Sequence, residues 1–591
     1  MNDNGVYQTI AIGIILLFIS TGSVLTSASA VEPPVLLESR NPWFYVGGSG
    51  PGNYTRIQDA IDNASDGDTV FVFDESAPYH EFLVINKSIT VLGEEPSTTI
   101  LNGSGAPREV VSVTADHVTI SGFSIINYGR DAIRVQANHT RITQNLLGPN
   151  ISGWSGQGIE LFHSNNSVIE ENEINGTFDC IQLYSSHNNS IRKNLLTSSW
   201  IHGIWLSEST QNTVEGNIID TGELIGMPGS YTGIRLTFSQ NNLLVNNTIT
   251  SHDEDCVNGM MLWESYDNIV TGNIFTSCGL DWYGSYENTV KDNMVNLLPL
   301  FYLIDQPETV ITAAGQVILI RCPDSTIQNV TISSTPKAIA LMESERCHVT
   351  NCTCRHNTYG VYTETSEESH ITENVLRANE LGIAIGAGSA HTRIMDNDIQ
   401  ESLYTGISSN AAFVTLERNR VVNNTWGIMI TGLFSIYNHV TANNLTQNWD
   451  GVVLSSFFTT VNNNTITENS NGIHITGGSS RNHILSNEIS LNERGINITH
   501  EPKDLWSMCN WIQKNNFIGN TRHVSFDSSL NNHFIRNYWE KDFIPPHRID
   551  GTLSFYKIHP WTGGITWEKH LPWMDFDLIP ATEPYPIQGM H

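Results

Sequence analysis

The sequence predicts an all-β chain wound as a parallel β-helix, a solenoid of about 22-residue coils, and three observations carry that reading. A Gly followed by a β-branched or aliphatic residue recurs as Gly158-Ile159, Gly203-Ile204, Gly233-Ile234, Gly259-Met260, Gly360-Val361, Gly382-Ile383, Gly406-Ile407, Gly427-Ile428, Gly451-Val452, Gly472-Ile473 and Gly495-Ile496, with steps of 22, 24, 21, 24, 21 and 23 from Gly360 onward. An Asn just before an apolar residue runs at the same period through Asn145, Asn172, Asn194, Asn217, Asn247, Asn273, Asn293, Asn374, Asn397, Asn419, Asn444, Asn464 and Asn487. Only 15% of the 591 residues are charged, against about 25% in ordinary globular proteins. That composition argues against charged disorder, coiled coil and helical bundle.

Within a repeat, apolar and polar residues alternate, as in Gly158-Ile159-Glu160-Leu161 and Gly472-Ile473-His474-Ile475, which is strand patterning. Strands of three to five residues cannot form an independent sheet. Stacked coil on coil they form three parallel sheets around an apolar core. Asn suits the corners because it tolerates left-handed backbone and can bond to the neighbouring coil. A leucine-rich repeat would need a Leu-dominated consensus, which the chain lacks.

Taken in chain order, residues 1–30 read as a signal peptide or N-terminal anchor: Ile10 to Ile19 is apolar, and Ala28-Ser29-Ala30 offers a cleavage site. No Lys or Arg precedes the apolar stretch, and the membrane enters only through this segment if it is uncleaved. Residues 31–110 are the N-terminal cap and first coils, with a capping helix over 55–63 and a strand over 69–73. Residues 111–296 form a first β-helical half, 297–330 an irregular junction, and 331–537 a second half. Residues 538–591 are a Pro- and Trp-rich C-terminal cap containing Trp561, Trp567 and Trp573.

The formal net charge of -31 repels a phosphate backbone, so nucleic acid is set aside. Eight cysteines lack a paired CxxC arrangement. Cys352-Thr353-Cys354 with His348 and His356 allows a metal reading; the alternative is buried Cys stacked in the repeat, with or without a disulfide between coils. The run His252-Asp253-Glu254-Asp255 offers oxygen ligands for Ca2+, or is a solvated loop. No other cofactor is expected. About sixteen Asn-x-Ser/Thr sequons fit an exported glycoprotein, although a chain this rich in Asn, Ser and Thr generates many by composition.

Alternation also identifies the outward positions. Between the two inward apolar residues the first half carries Glu160, Gln182, Trp205, Arg235, Met261 and Asp281, whereas the second carries Tyr362, Ala384, Ser408, Met429, Val453, His474 and Asn497. Just before the Gly position lie Gln157, Asp179, His202, Thr232 and Asn258. Charged and aromatic residues therefore concentrate between about Trp154 and Trp282. Tyr184, Trp205, Trp263, Trp282 and Tyr283 offer flat faces suited to pyranose rings, or are core aromatics.

The segment IQDAIDNASDGDTV, the later GQVILIRC, the two ladders and the closing NYW and EPYPI resemble the right-handed parallel β-helix proteins of the NosD-like and carbohydrate-binding sugar-hydrolase (CASH) group, especially exported archaeal members. The likeness covers residues 41 to 587 and is specific for fold, not function. It implies an extracellular or cell-surface location and, through the NosD name, a role in copper-site maturation. The 21 scattered His form no ligand run that would support the latter.

The same stretch is similar to the polygalacturonase-type glycoside hydrolase pattern of NTDG, DDC, GHG and RIK on successive coils. Here those places read SGQG over 155–158, Phe178-Asp179-Cys180, Ile201-His202-Gly203 and Ile234-Arg235-Leu236. The resemblance makes Asp179, His202 and Arg235 the matching residues, while Gln157, Phe178 and Leu236 depart from the pattern. One of three family carboxylates is present, so the two-carboxylate mechanism requires Glu160 as a substitute.

The leading expectation is an exported β-helix protein that binds or scaffolds a polysaccharide or cell-surface glycan through Trp205, Arg235, Tyr184, Trp263 and Trp282. Two alternatives stand beside it: a polysaccharide-cleaving hydrolase or lyase using Asp179, His202 and Glu160, and a NosD-like accessory protein for copper.

Overall fold

Short strands and tight corners repeat through a computed structural model that describes residues 42–104, 108–148, 156–221, 231–252, 257–499, 507–529, 531–540, 547–558 and 565–587. The expected leader at 1–30, and Trp561 of the tail, lie outside those residues. Among the described residues no helix is long and apolar enough to cross a membrane.

The chain is an all-β parallel solenoid in two halves. In the first, an eleven-stranded sheet runs from Trp43–Val46 to Thr289–Lys291, and a nine-stranded sheet from Leu83–Ile85 to Cys278–Tyr283. A third runs from Ile100–Asn102 to Met294–Val295. Alternate residues point inward, so Ile159, Leu161, Ile181, Leu183, Ile204 and Leu206 are all fully buried. The Gly slots are narrow because coils approach closely there: a Cβ on Gly427 would lie 2.5 Å from the Gly451 carbonyl oxygen. The described helix, Ile57–Asn63, is two residues shorter than expected and buries Ile57, Ala60 and Ile61. The carboxylate of Glu81 accepts from the backbone N–H of Ile57 (2.9 Å) and Gln58 (3.1 Å) at its first turn.

Asparagines at the corners form continuous side-chain ladders. In one of them, each Nδ2 donates to the Oδ1 of the next coil's Asn through Asn145, Asn172, Asn194, Asn217, Asn247, Asn273 and Asn293. The same Oδ1 also accepts that residue's backbone N–H. In the second half the rung is Asn443, not Asn444; Asn444 begins a strand. Each rung is preceded by a residue in left-handed backbone, such as Glu171, Lys193 or Asn246.

The junction is sharper than the sequence suggests. Asn296 and Leu297, with φ of 50° and 67°, turn the chain so that Leu298–Pro299 pairs antiparallel with Met294–Val295. Parallel coils resume at once, Leu300 pairing with Gln316. From there the sheet beginning with Leu298–Ile304 is buried on both faces: Ile318, Ile320, Ala340 and Met342 join the first core, while Val317, Leu319, Ile339 and Leu341 face the second. Strand direction and interior side invert together, so the winding keeps its hand across the junction.

Lys337 ties this seam. Its ammonium pairs with Asp281 and lies 4.6 Å from the Trp282 ring centre and 5.7 Å from those of Tyr359 and Tyr362. Both charged side chains are largely buried, at 12% and 16% exposure. Lys337→Met leaves Asp281 an uncompensated buried charge, and is expected to cost about 3 kcal/mol in urea unfolding. A loss below about 0.5 kcal/mol would make the pair ornamental.

At the far end, the described tail returns to the last coils. Strands His547–Ile558 and Ile565–Asp577 form a hairpin that delivers Asp577 to Asn537, and Tyr585 exchanges two backbone hydrogen bonds with the Asn516 side chain (2.8 Å each).

Candidate functional site

Strand register on the nine-stranded sheet aligns the outward residues into two columns. One reads Arg134, Glu160, Gln182, Trp205, Arg235, Met261 and Asp281. The other brings Asp179 beside His202, followed by Thr232 and Asn258. The pairing of Ile133 with Ile159 and of Ile159 with Ile181 extends this second column back through Gln157 to Asp131.

Asp179 and His202 meet as the sequence pattern implied. His202 Nδ1–H donates to Asp179 Oδ1 at 2.6 Å, with exposures of 5% and 0% for the two residues. The other polar atom of each, His202 Nε2 and Asp179 Oδ2, is buried without a hydrogen-bond partner among the described residues. The Trp205 ring lies 5.2 Å from the imidazole, and its Nε1 donates to Thr237 Oγ1 at 3.2 Å. Arg235 Nε donates to the same hydroxyl. Burial lowers the guanidinium pKa of Arg235, and Asp179 opposes that shift.

Glu160 is paired with Arg134 at 2.8 Å and sits beside Asp131, which the sequence reading missed. Asp131 is 1% exposed. Burial first, then the neighbouring Glu160 carboxylate, pushes its pKa from 3.8 to about 7; Arg130, the Gln157 N–H and Arg134 pull the other way without cancelling this. Tyr128 lies close by, fully buried, and desolvation followed by Cys180 and Asp131 raises its phenol well above the usual value. The signal for Asp131 was present: Ala132-Ile133 occupies the Gly-Ile slot one coil earlier, with Ala in place of Gly.

The aromatic platform is more occupied than expected. Tyr184 stacks on Phe162 at 5.4 Å, and Trp263 on Tyr283 at 4.5 Å, so each spends one face on a neighbour. Arg235 approaches Trp263 at 5.7 Å. Trp282 corrects the expectation outright. It pairs with inward Leu262, is 5% exposed in the first core and lies against Lys337, because the outward slot of its strand belongs to Asp281.

Donors for a metal are poorly disposed. Among the described residues no group of three or more His, Cys, Asp or Glu is arranged to hold an ion. Cys352 and Cys354 are buried and unpaired, as are Cys180, Cys322 and Cys347, so the disulfide option is not taken at these five positions. Burial pushes Cys180 up to about 12 and Cys347 to about 11, and raises Cys354, keeping these thiols protonated rather than ligating. His348 lies against His370 at 5.0 Å, in a groove that also contains Arg346 and Arg393. These residues do not fit copper. Asp253, Glu254 and Asp255 of the Ca2+ expectation lie outside the described residues.

With the geometry in place, similarity to known proteins narrows the lineage. A cell surface glycoprotein of Methanothermus fervidus is 31% identical over 252 residues, covering 41% of this chain and 42% of that protein. The chain thus spans less than half the length of this relative. Among solved structures, the DFA-IIIase of Arthrobacter chlorophenolicus matches 56% of this chain and 93% of its own at 15% identity and a TM-score of 0.34. The periplasmic alginate epimerase AlgG matches 59% and 76% at 14% identity, also with a TM-score of 0.34. A family model matches residues 61–257, 227–297, 303–456 and 432–545, well over half of the chain, which therefore belongs to the family described as periplasmic copper-binding protein (NosD).

Proposed function

We propose that this protein is an exported or cell-surface β-solenoid that binds a carbohydrate chain across the nine-stranded sheet, at the cluster of Asp131, Glu160, Asp179, His202, Trp205 and Arg235. The carrying observation is the concentration there, among the described residues, of buried polar atoms without hydrogen-bond partners: Asp179 Oδ2 and His202 Nε2, and beside them Asp131 Oδ2, which has only ion-pair contacts with Arg130 (3.5 Å) and Arg134 (3.9 Å). Each such atom costs about 1–3 kcal/mol, a cost a purely structural face avoids and a ligand hydroxyl would repay. The cell surface glycoprotein relative supports the location. Helix Ile57–Asn63, with its buried Ile57 and Ile61, is read as the N-terminal cap.

Coils spaced about 4.8 Å apart place Asp179, His202 and Arg235 over two stacking steps, roughly the length of two sugar rings. Trp205 supplies an apolar surface, and Arg235 a cation for an acidic substituent. The net charge of -31 favours a neutral or sparsely acidic glycan. Trp205→Ala is expected to weaken binding on a glycan array by roughly tenfold. Unchanged binding would remove Trp205 from the site.

Asp131 favours a second reading, turnover. A carboxylic acid kept protonated near neutrality beside a second carboxylate, Glu160, is the arrangement that separates acid from base. The Asp179–His202 pair would then orient the imidazole or move a proton at Nε2. In a reducing-sugar assay, Asp131→Asn and Asp179→Asn should each abolish product if there is turnover, while leaving array binding measurable. Wild-type inactivity across neutral and acidic polysaccharides would leave binding alone.

Stability offers an independent check on Asp131. Its folded pKa is raised, so the native state holds a proton that the unfolded chain releases between pH of about 4 and 7. The resulting stabilisation is fully present below about pH 4 and is lost as the pH rises through about 7. Asp131→Asn mimics the protonated form and is expected to raise the urea midpoint at pH 8 while leaving it near wild type at pH 4. An equal change at both values would mean that Asp131 is not held protonated.

A further inference from the structure

Sequons such as Asn246-Asn247-Thr248, Asn351-Cys352-Thr353 and Asn463-Asn464-Thr465 look alike in sequence, but the solenoid sorts them. At the corner between the eleven-stranded and third sheets of the first half, the residue before each ladder Asn is left-handed and turned outward. Asn246 occupies that position with a φ of 55° and is exposed, whereas Asn247 is a fully buried rung. Thr248 opens the following strand on its outward side. The same corner position on the two neighbouring coils is Gly216 and Gly272, aligned by the pairings of Ile218 with Thr248 and Thr248 with Ile274.

Those two glycines clear the space around Asn246. A Cβ on Gly216 would meet only Lys193 Cγ, at 4.0 Å, so that side is open. A Cβ on Gly272 would come 2.3 Å from Asn246 Oδ1, so the carboxamide leans over a position that only a residue without a side chain leaves free. Asn423 and Asn463 share a left-handed corner position but have no Gly at that position on either neighbouring coil, and several other sequon asparagines are committed. Asn351 Nδ2 donates to Asn329 Oδ1 (2.6 Å), Asn188 Nδ2 to Asn166 Oδ1, and Asn53 Nδ2 to the Gly47 carbonyl (2.6 Å). The Asn246 carboxamide has no such partner among the described residues.

We propose that Asn246 carries an N-linked glycan. The inference rests on the exported placement proposed above. The bond formed joins Asn246 Nδ2 to the anomeric carbon of a phosphate-activated oligosaccharide. The anomeric C–O bond to phosphate breaks, the phosphate departs with the electron pair, and the amide nitrogen releases a proton. In a three-sheet prism this corner is opposite the nine-stranded face, so the glycan projects away from the candidate groove and leaves it open.

The test is glycopeptide mass spectrometry on the full-length protein purified from its own cell envelope, comparing wild type with Thr248→Val. The peptide containing Asn246 should carry a glycan mass in most wild-type copies and return to its bare mass in the variant, while the Asn351 peptide is bare in both. A bare Asn246 peptide in wild type overturns the proposal whether or not the variant folds. If other sequons are then occupied, export stands and only the site is wrong; if every sequon is bare and cell fractionation recovers the protein in the cytoplasm rather than the envelope, the exported placement fails with it.

Discussion

Asn247→Asp is expected to cost about 4 kcal/mol, more than Asn247→Ala at about 3 kcal/mol, although Asp preserves the shape of the side chain. Asn247 Nδ2 donates to Asn273 Oδ1 (3.0 Å) and to the Val214 carbonyl (2.9 Å), while its Oδ1 accepts the backbone N–H (3.0 Å) and Nδ2 (2.9 Å) of Asn217. Asp retains the acceptor but points a second oxygen at two acceptors in a fully buried place. Ala only leaves partners unmet. Urea denaturation of both variants checks the order. Asp tolerated better than Ala would mean that water enters the corner and the ladder is not a closed network.

Asp577→Ala is the complementary case, with an expected loss of about 4 kcal/mol confined at first to the last coils. Asp577 is fully buried, and its Oδ2 accepts the backbone N–H (2.8 Å) and Nδ2 (3.2 Å) of Asn537 and Nε1 of Trp539 (3.2 Å), while Oδ1 accepts the Arg536 N–H (3.1 Å). It thus takes the place of the next rung. A terminal rung needs no donor, which is why Asp is suited here and not at position 247. Asp577→Asn should also lose about 2 kcal/mol, because its amino group would face the Arg536 N–H that Oδ1 accepts. Hydrogen exchange should show protection lost around Asn537 and Trp539 in the Ala variant and retained around Asn217. Uniform loss along the chain would mean that the solenoid unfolds as one unit rather than from its end.

The ladders explain why so much of the coil was readable. A buried Asn that must donate to one coil and accept from another recurs at every turn, and a Gly slot recurs wherever coils nearly touch, so both leave a fixed period in sequence. The same regularity concealed Asp131, because Ala132 also fits the slot and breaks the apparent motif. It also misled at Trp282. The end of the nine-stranded sheet faces the second half, and a one-residue difference in register decides whether an aromatic ring meets solvent or Lys337.

Local alternation alone determined the coil, its three sheets and the column that joins Asp179 to His202, since each depends only on residues one period apart. Tertiary structure decided what no period encodes. The turn at Asn296–Leu297 moves the interior to the opposite face of a continuing sheet, Asp577 arrives from a distant hairpin to end a ladder, and Asp131 acquires a pKa near 7 because burial and Glu160 act on it together. Desolvation and long-range closure are properties of the packed molecule, and they are where the chemistry of the nine-stranded face originates.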